Sequence, residues 1–173
     1  MEEVILVNEN DVETGVMEKM EAHHKGALHR AFSVFVFNDK NEMLLQQRAF
    51  SKYHSGGLWT NSCCSHPRPG EETLEAATRR LKEEMGFETA LHKIFDFTYK
   101  AHFENGLTEH EFDHVFSGHY NGVVHPNPDE VCGFEWLSMD AIGARLEQNP
   151  SEFTAWFRIA FPKISEWKQQ GRE

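Results

Sequence analysis

The sequence predicts an α/β fold in a single domain spanning residues 1–173, built on a mixed or antiparallel sheet with helices packed against it. Three observations carry this. HRAFSVFVF, residues 29–37, is a β-branched and aromatic run suited to a core strand. Residues 94–102 and 107–120 alternate apolar and polar side chains one after the other, so strand follows strand. Between and after these strands, amphipathic patterns behind Pro69-Gly70 and Ser138 repeat at three and four residues, which is helical spacing. At 173 residues the chain is long enough to bury a core of its own.

In chain order, residues 4–7 are a short apolar run ending at Asn8, a first strand. NENDVETG is turn-rich, and residues 15–23 bring Lys19 and His23 into the mixed segment HHKGALH. After the 29–37 strand, Asn38-Asp39-Lys40-Asn41 makes a turn and residues 43–47 return as the next strand, ending at Arg48. SKYHSGGLW is a loop carrying Lys52, and residues 59–62 form a short strand. Beyond the alternating pair, HPNPDE is a loop and residues 133–137 a strand leading to Ser138, the N-cap of MDAIGARLEQ. Ser151 or Thr154 opens a last helix with Trp156, Ile159 and Ala160 on one stripe, which Pro162 is expected to kink or restart.

Residues 63–87, CCSHPRPGEETLEAATRRLKEEMGF, concentrate the reactive groups. Pro69-Gly70 turns the chain, Glu71 and Glu72 suit the positive end of a helix dipole, and Gly86 suits a left-handed C-cap. Leu74, Ala77, Leu81 and Met85 form the packing stripe. Glu71 and Glu75 are spaced to pair with Arg79, and Arg80 lies one turn before Glu84. Glu83 and Glu84 sit in the last turn, where the dipole disfavours carboxylates. A bound cation would make them ligands, because hard divalent metals take carboxylate oxygens. An acidic helix by itself is ordinarily a solvated, salt-bridged face.

A net charge of −11 and a pI near 5.4 argue against nucleic-acid or anionic-membrane partners, so an anionic substrate must meet a local cluster of Lys and Arg. Three cysteines, two of them adjacent, make a poor disulfide framework and fit a reduced, cytoplasmic setting. The start, MEEVILVNEN, has neither the charge nor the apolar length of a signal peptide or membrane span. Glu109 and Glu111, two apart on a strand, share one face, where paired carboxylates repel unless a metal or a shared proton holds them.

The central stretch resembles the Nudix box, G-x5-E-x7-R-E-U-x-E-E-x-G-U with U aliphatic: Glu71, Arg79, Leu81, Glu83, Glu84, Gly86 and Phe87 fall in register. Ser65 stands at the first glycine, and Arg80 replaces the glutamate after the motif arginine, which in Nudix hydrolases is a main magnesium ligand. With NSCCSHP just before it, this departure looks like type I isopentenyl diphosphate isomerase, and that likeness runs from LVNENDVETG to FTAWF. The resemblance implies a Nudix-type α/β/α sandwich with a mixed sheet. It implies a metal site made of His23, His29, His66, Glu109 and Glu111, whose nitrogen and oxygen donors suit Zn²⁺, Mn²⁺ or Fe²⁺ better than Mg²⁺. A second ion, Mg²⁺ bridging diphosphate oxygens, would use Glu84, while Lys19, Arg48, Lys52 and Arg80 fall at diphosphate-binding positions. His24, His54, His92, His102, His110, His114, His119 and His125 take no role in it.

The implied substrate is a small prenyl diphosphate and the implied reaction a 1,3-allylic proton shift between isopentenyl and dimethylallyl diphosphate. Protonating an unactivated alkene passes through a tertiary carbocation, which demands an acid, a base, an aromatic wall and exclusion of water. Cys64, Glu111 and Tyr99 match the family's catalytic positions, and Trp156 the tryptophan whose face would stabilise the cation. Which of Cys64 and Glu111 gives the proton and which removes it stays open, and a monomer is expected. The competing expectations are a Nudix hydrolase, against which Arg80 speaks, and a non-catalytic metal-binding domain.

Overall fold

The computed structural model describes residues 2–171, and among them nine strands form one sheet. The elements in chain order are β1 (Glu3–Val7), β2 (Glu13–Glu18), α1 (Lys19–Lys25), β3 (His29–Phe37), β4 (Glu42–Arg48), β5 (Trp59–Thr60), β6 (Cys63–Ser65), α2 (Thr73–Met85), β7 (Leu91–His102), β8 (Thr108–His119), β9 (Val131–Ser138), α3 (Met139–Gln148) and α4 (Ala155–Gln169). The apolar run of β3 lies at the centre. It pairs in parallel with β8 from His29↔Glu111 to Phe37↔His119, and antiparallel with β1, β4 and β6. β7 and β8 form a long hairpin and β9 lines the far side of β4, so the sheet is mixed, as expected.

Period-two alternation sorts β3 between two cores. Phe32, Val34 and Val36 pack with Ala76, Ala77, Leu81 and Met85 of α2 on one face. Phe35 and Phe37 pack with Ile142 of α3 and Phe157, Ala160, Phe161, Ile164 and Trp167 of α4 on the other. The result is an α/β/α sandwich. The same alternation separates the two adjacent cysteines: Cys63, opposite Val34, joins the α2 core, and Cys64, opposite Ser33, faces the other way.

Several expectations are corrected. The turn-rich segment after Asn8 is tighter than its composition suggests: Asn8 Oδ1 accepts from the Asn10 and Val12 amides, Asp11 takes a positive φ, and β2 returns against β1. The strand expected over residues 59–62 stops at Thr60: buried Asn61 and Ser62, whose side chains bond to the backbone of β3 and β4, separate β5 from β6. Leu74 is 46 % exposed, and Ala76 takes its place against the sheet. Ile159 is likewise exposed, and Phe157 and Phe161 make the contact instead. Pro162 neither ends nor restarts α4, which runs unbroken through it. Proline removes one helical hydrogen bond, but buried Phe157, Phe161, Ile164 and Trp167 bind both halves to the sheet. The caps at Gly86 (φ 79°), Ser138 and Thr154 stand as expected.

The loop before α2 is tied to the helix by charge. Glu71 accepts from Arg79 Nε and Nη2 at 2.8 and 2.9 Å and from the Arg68 amide at 2.9 Å. These donors, the Arg79 guanidinium foremost, outweigh partial burial and hold the Glu71 carboxyl below its ordinary value of 4.5. A lowered carboxyl adds stability above its unfolded value and loses it as pH falls through the folded one. Glu71→Gln is therefore expected to lower stability by about 1 kcal/mol at neutral pH. The gap from wild type should close below pH 4.5 in thermal melts. A gap that persists in acid would place the Glu71 contribution elsewhere. Phe157, fully buried and ringed by Phe35, Phe153 and Phe161 at 6.3, 5.5 and 5.6 Å, anchors α4. Phe157→Ala should cost about 3–5 kcal/mol in denaturant unfolding.

Candidate active site

One sheet face changes character along its length. At the α4 end it holds Phe35, Phe37 and Val115, and toward the start of β3 and β8 the same alternation presents His29, Ser33, Glu109, Glu111 and Asp113. The hairpin register sets Tyr99 of β7 directly opposite Glu111. All of these polar side chains are buried.

The three histidines and two strand glutamates expected to converge do so. His29 and His66 bring Nε2 to 3.2 and 2.8 Å of Glu111 Oε2, and His23 brings Nε2 to 3.6 Å of Glu109 Oε2. The Tyr99 hydroxyl reaches Oε1 of both carboxylates, at 2.6 Å for Glu111, leaving both Oε2 atoms turned toward the imidazoles. His23 Nδ1–H donates to Lys19 O at 2.7 Å and His29 Nδ1–H to Ala27 O at 2.9 Å, which turns each Nε2 inward to the carboxylates. His23 Nε2 is buried without a hydrogen-bond partner. Two buried carboxylates and several inward-facing imidazoles suit a divalent ion, and His23, His29, His66 and Glu111 present donor atoms all within 4.8 Å of one another.

The electrostatics follow from burial and pairing. Burial alone would raise Glu109, but the His23 and His54 rings and Tyr99 outweigh it and hold the carboxyl well below its usual range. Burial and the neighbouring Glu109 push Glu111 up, and His29 and His66 more than compensate. Burial also lowers His66 and raises Tyr99, keeping the imidazole and the phenol neutral. Asp113 is pushed well up by burial and by Glu111, and its Oδ2 accepts from Ser33 at 2.7 Å.

Cys64 lies beside this cluster. Its thiol donates to Asn61 Oδ1 at 2.9 Å and accepts from the Trp156 indole at 3.0 Å. Asn61 is itself fixed, donating to Val34 O and Cys63 O, so its Oδ1 is aimed at the thiol. Burial, with Asp113 nearby, pushes the thiol well above its ordinary value, making it a retained proton and not a thiolate. Cys64, Tyr99, Glu109, Glu111, His54, His66, Arg48 and Trp156 line one small cavity of about 30 Å³. Larger grooves of about 560 Å³ lie away from these groups, one of them between α3 and α4 around Leu146, Pro150 and Phe161.

The basic residues flank the cluster and are each held by a carboxylate or a carbonyl. Arg80 contacts Glu84 at 2.5 Å, Glu83 at 2.9 Å and Glu130 at 3.5 Å, and Lys52 shares Glu130 at 2.5 Å. Lys19 pairs with Glu2 at 2.7 Å, and Arg48 donates to His54 O and lies 5.1 Å over Trp156. Glu84, expected at a second ion, accepts from Gln46 at 3.0 Å and from Arg80, which accounts for a carboxylate at the helix end. Glu83 is paired with Arg79 and Arg80. Sequence reasoning left out Asn61, Asp113, Glu130 and His54. The 109-111-113 alternation was the signal for Asp113, whereas Asn61, Glu130 and His54 stand in irregular segments where no periodicity marks them.

No helix among the described residues is long and apolar enough to cross a membrane. The NUDIX domain pattern matches residues 27–157. Solved structures similar in fold include the DR0079 protein of Deinococcus radiodurans, with a TM-score of 0.69 at 21 % identity over 86 % of this chain and 90 % of that one. A MutT protein of Methanosarcina mazei gives 0.68 at 20 % identity over 82 % and 95 %. Among curated proteins, an isopentenyl-diphosphate Delta-isomerase of Pectobacterium atrosepticum is 56 % identical over 96 % of this chain and 93 % of its own length. Isopentenyl-diphosphate Delta-isomerase 1 of Aromatoleum aromaticum is 47 % identical over 99 % and 97 %. The chain belongs to the NUDIX family, within its branch of type I isopentenyl diphosphate isomerases.

Proposed function

We propose that this enzyme interconverts isopentenyl and dimethylallyl diphosphate, and that Cys64 and Glu111 are the two proton-handling groups. The observation that carries the assignment is their presence on the lining of one small cavity, a thiol held by Asn61 and Trp156 and a carboxylate held by Tyr99. A 1,3-allylic shift needs a proton delivered at one carbon and removed at another, which two separately held groups provide. Trp156, fixed to Cys64 through its indole N–H, offers the aromatic face for the cation between them. Glu111, Tyr99 and Trp156 are buried and Cys64 is half-buried, which limits the water that would quench it.

His23, His29, His66, Glu109 and Glu111 would hold Mn²⁺ or Zn²⁺, and Mg²⁺ would accompany the diphosphate near Glu84. A divalent charge at the histidine set offsets the repulsion of two adjacent carboxylates and fixes Glu111 in place. Lys19, Arg48, Lys52 and Arg80 are assigned to the diphosphate. Lys52 and Arg80 already converge on one carboxylate, Glu130, as they would on phosphate oxygens. Arg80, where the hydrolases carry a metal-binding glutamate, grips the diphosphate without assisting its cleavage. Because the cavity is only about 30 Å³, a five-carbon substrate requires side chains that line it, Arg48 and Trp156 among them, to move. The whole chain, residues 1–173, is taken as one domain, monomeric and cytoplasmic, in keeping with a net charge of −11.

Isopentenyl diphosphate incubated with the protein, Mg²⁺ and Mn²⁺ in D₂O should give dimethylallyl diphosphate carrying deuterium in the new methyl, read by proton NMR. Free phosphate, or an unchanged substrate, would overturn the isomerase assignment. Cys64→Ala should reduce turnover by at least about 10²-fold while metal uptake is retained. Trp156→Ala should lower kcat more than it raises KM, since it acts on the cation; equal effects would leave it a packing residue.

A further inference from the structure

The loop between β4 and β5 brings a fourth imidazole to the same cluster. His54 is 5 % exposed, and its Nε2 is buried without a hydrogen-bond partner, 3.2 Å from Glu109 Oε2. That separation equals the 3.2 Å between His29 Nε2 and Glu111 Oε2. Donors at about 2.1 Å from one ion and at right angles lie about 3.0 Å apart, so both contacts have the spacing of neighbouring ligands. His54, His23 and Glu109 present donor atoms within 4.8 Å of one another, and His23 belongs equally to the group with His29, His66 and Glu111.

The ring is also oriented as a ligand is. Its Nδ1 lies 3.1 Å from Ser55 Oγ, a hydroxyl able to take the place that Lys19 O and Ala27 O hold for His23 and His29, and its Nε2 is the nitrogen turned to the carboxylates. Ser55 makes this contact from a left-handed backbone, φ 55°. Phe103, in the β7–β8 turn, stacks on the imidazole at 4.4 Å and 13°, and Tyr53 and Trp156 meet it edge-on. Asn105 of the same turn donates to Tyr53 O at 3.0 Å, which clasps the loop over the cluster.

We propose that His54 is a ligand of the divalent ion, completing a six-donor shell of four imidazole nitrogens and two carboxylate oxygens. This extends the metal site assigned above and rests on it. A shell filled by protein leaves the ion no position at which to activate water, which suits a site that must move protons without hydrolysing its substrate.

The deciding measurement is a crystal structure of the wild-type protein loaded with Zn²⁺, the ion located by anomalous scattering. The expected His54 Nε2–Zn²⁺ distance is about 2.1 Å. An ion bound by His23, His29, His66, Glu109 and Glu111 with His54 beyond about 3 Å would overturn the proposal and leave the metal site standing. Failure to take up Zn²⁺ at all would overturn both. In solution, His54→Ala should weaken Zn²⁺ at least about 10-fold in chelator competition, and free imidazole should restore part of the loss. An unchanged affinity would count against His54 as a ligand.

Discussion

The parallel pairing of β3 with β8 is the constraint on which the site depends. It sets His29 opposite Glu111 and Ser33 opposite Val115, and with them it decides which face receives Glu109, Glu111 and Asp113. Side chains alternate strictly along a strand, so a slip of one residue would turn three acids to the opposite face and bring His110, Phe112 and His114 to the site. Such a slip is opposed by the aromatic and aliphatic residues further along the same strands. The packing of Phe35, Phe37 and Val115 beneath α4 therefore aligns ligands that lie many ångströms away from it.

Two buried carboxylates side by side are unfavourable on their own, and the neighbourhood is arranged around that cost. Tyr99 takes one oxygen of each, and imidazoles take the other. The surrounding charges are handled differently: Arg80, Lys52 and Lys19 are countered by Glu84, Glu130 and Glu2. An acidic protein thus keeps the cations beside the cleft matched with carboxylates.

Much of this was legible in the sequence, and the reasons are physical. β3, β8 and α2 carry strong periodicities, so their faces and the 109-111 pair could be assigned before any fold was known. Gly86, Ser138 and Thr154 mark helix ends through local backbone chemistry alone. The part played by His54, and by Asn61 at the head of NSCCSHP, was not legible because both sit in irregular segments, where position is set by tertiary contacts such as the Phe103 stack and the bonds to Val34 and Cys63. Pro162 and Leu74 misled for a related reason: a local rule about helices yields to where the sheet surface lies.

The distance in sequence between the pieces of the site has a consequence for how the protein is made. His29 and Glu111 are 82 residues apart, and the contact between them is a strand pairing that no local segment can form. At about 5–20 residues per second, a ribosome takes roughly 4–16 s to synthesise that interval. Through that period the early histidines and Cys64 are on a nascent chain with no glutamates to join. Assembly of the cluster is therefore a late event of biosynthesis, coupled to closure of the sheet and not to the appearance of the first histidines.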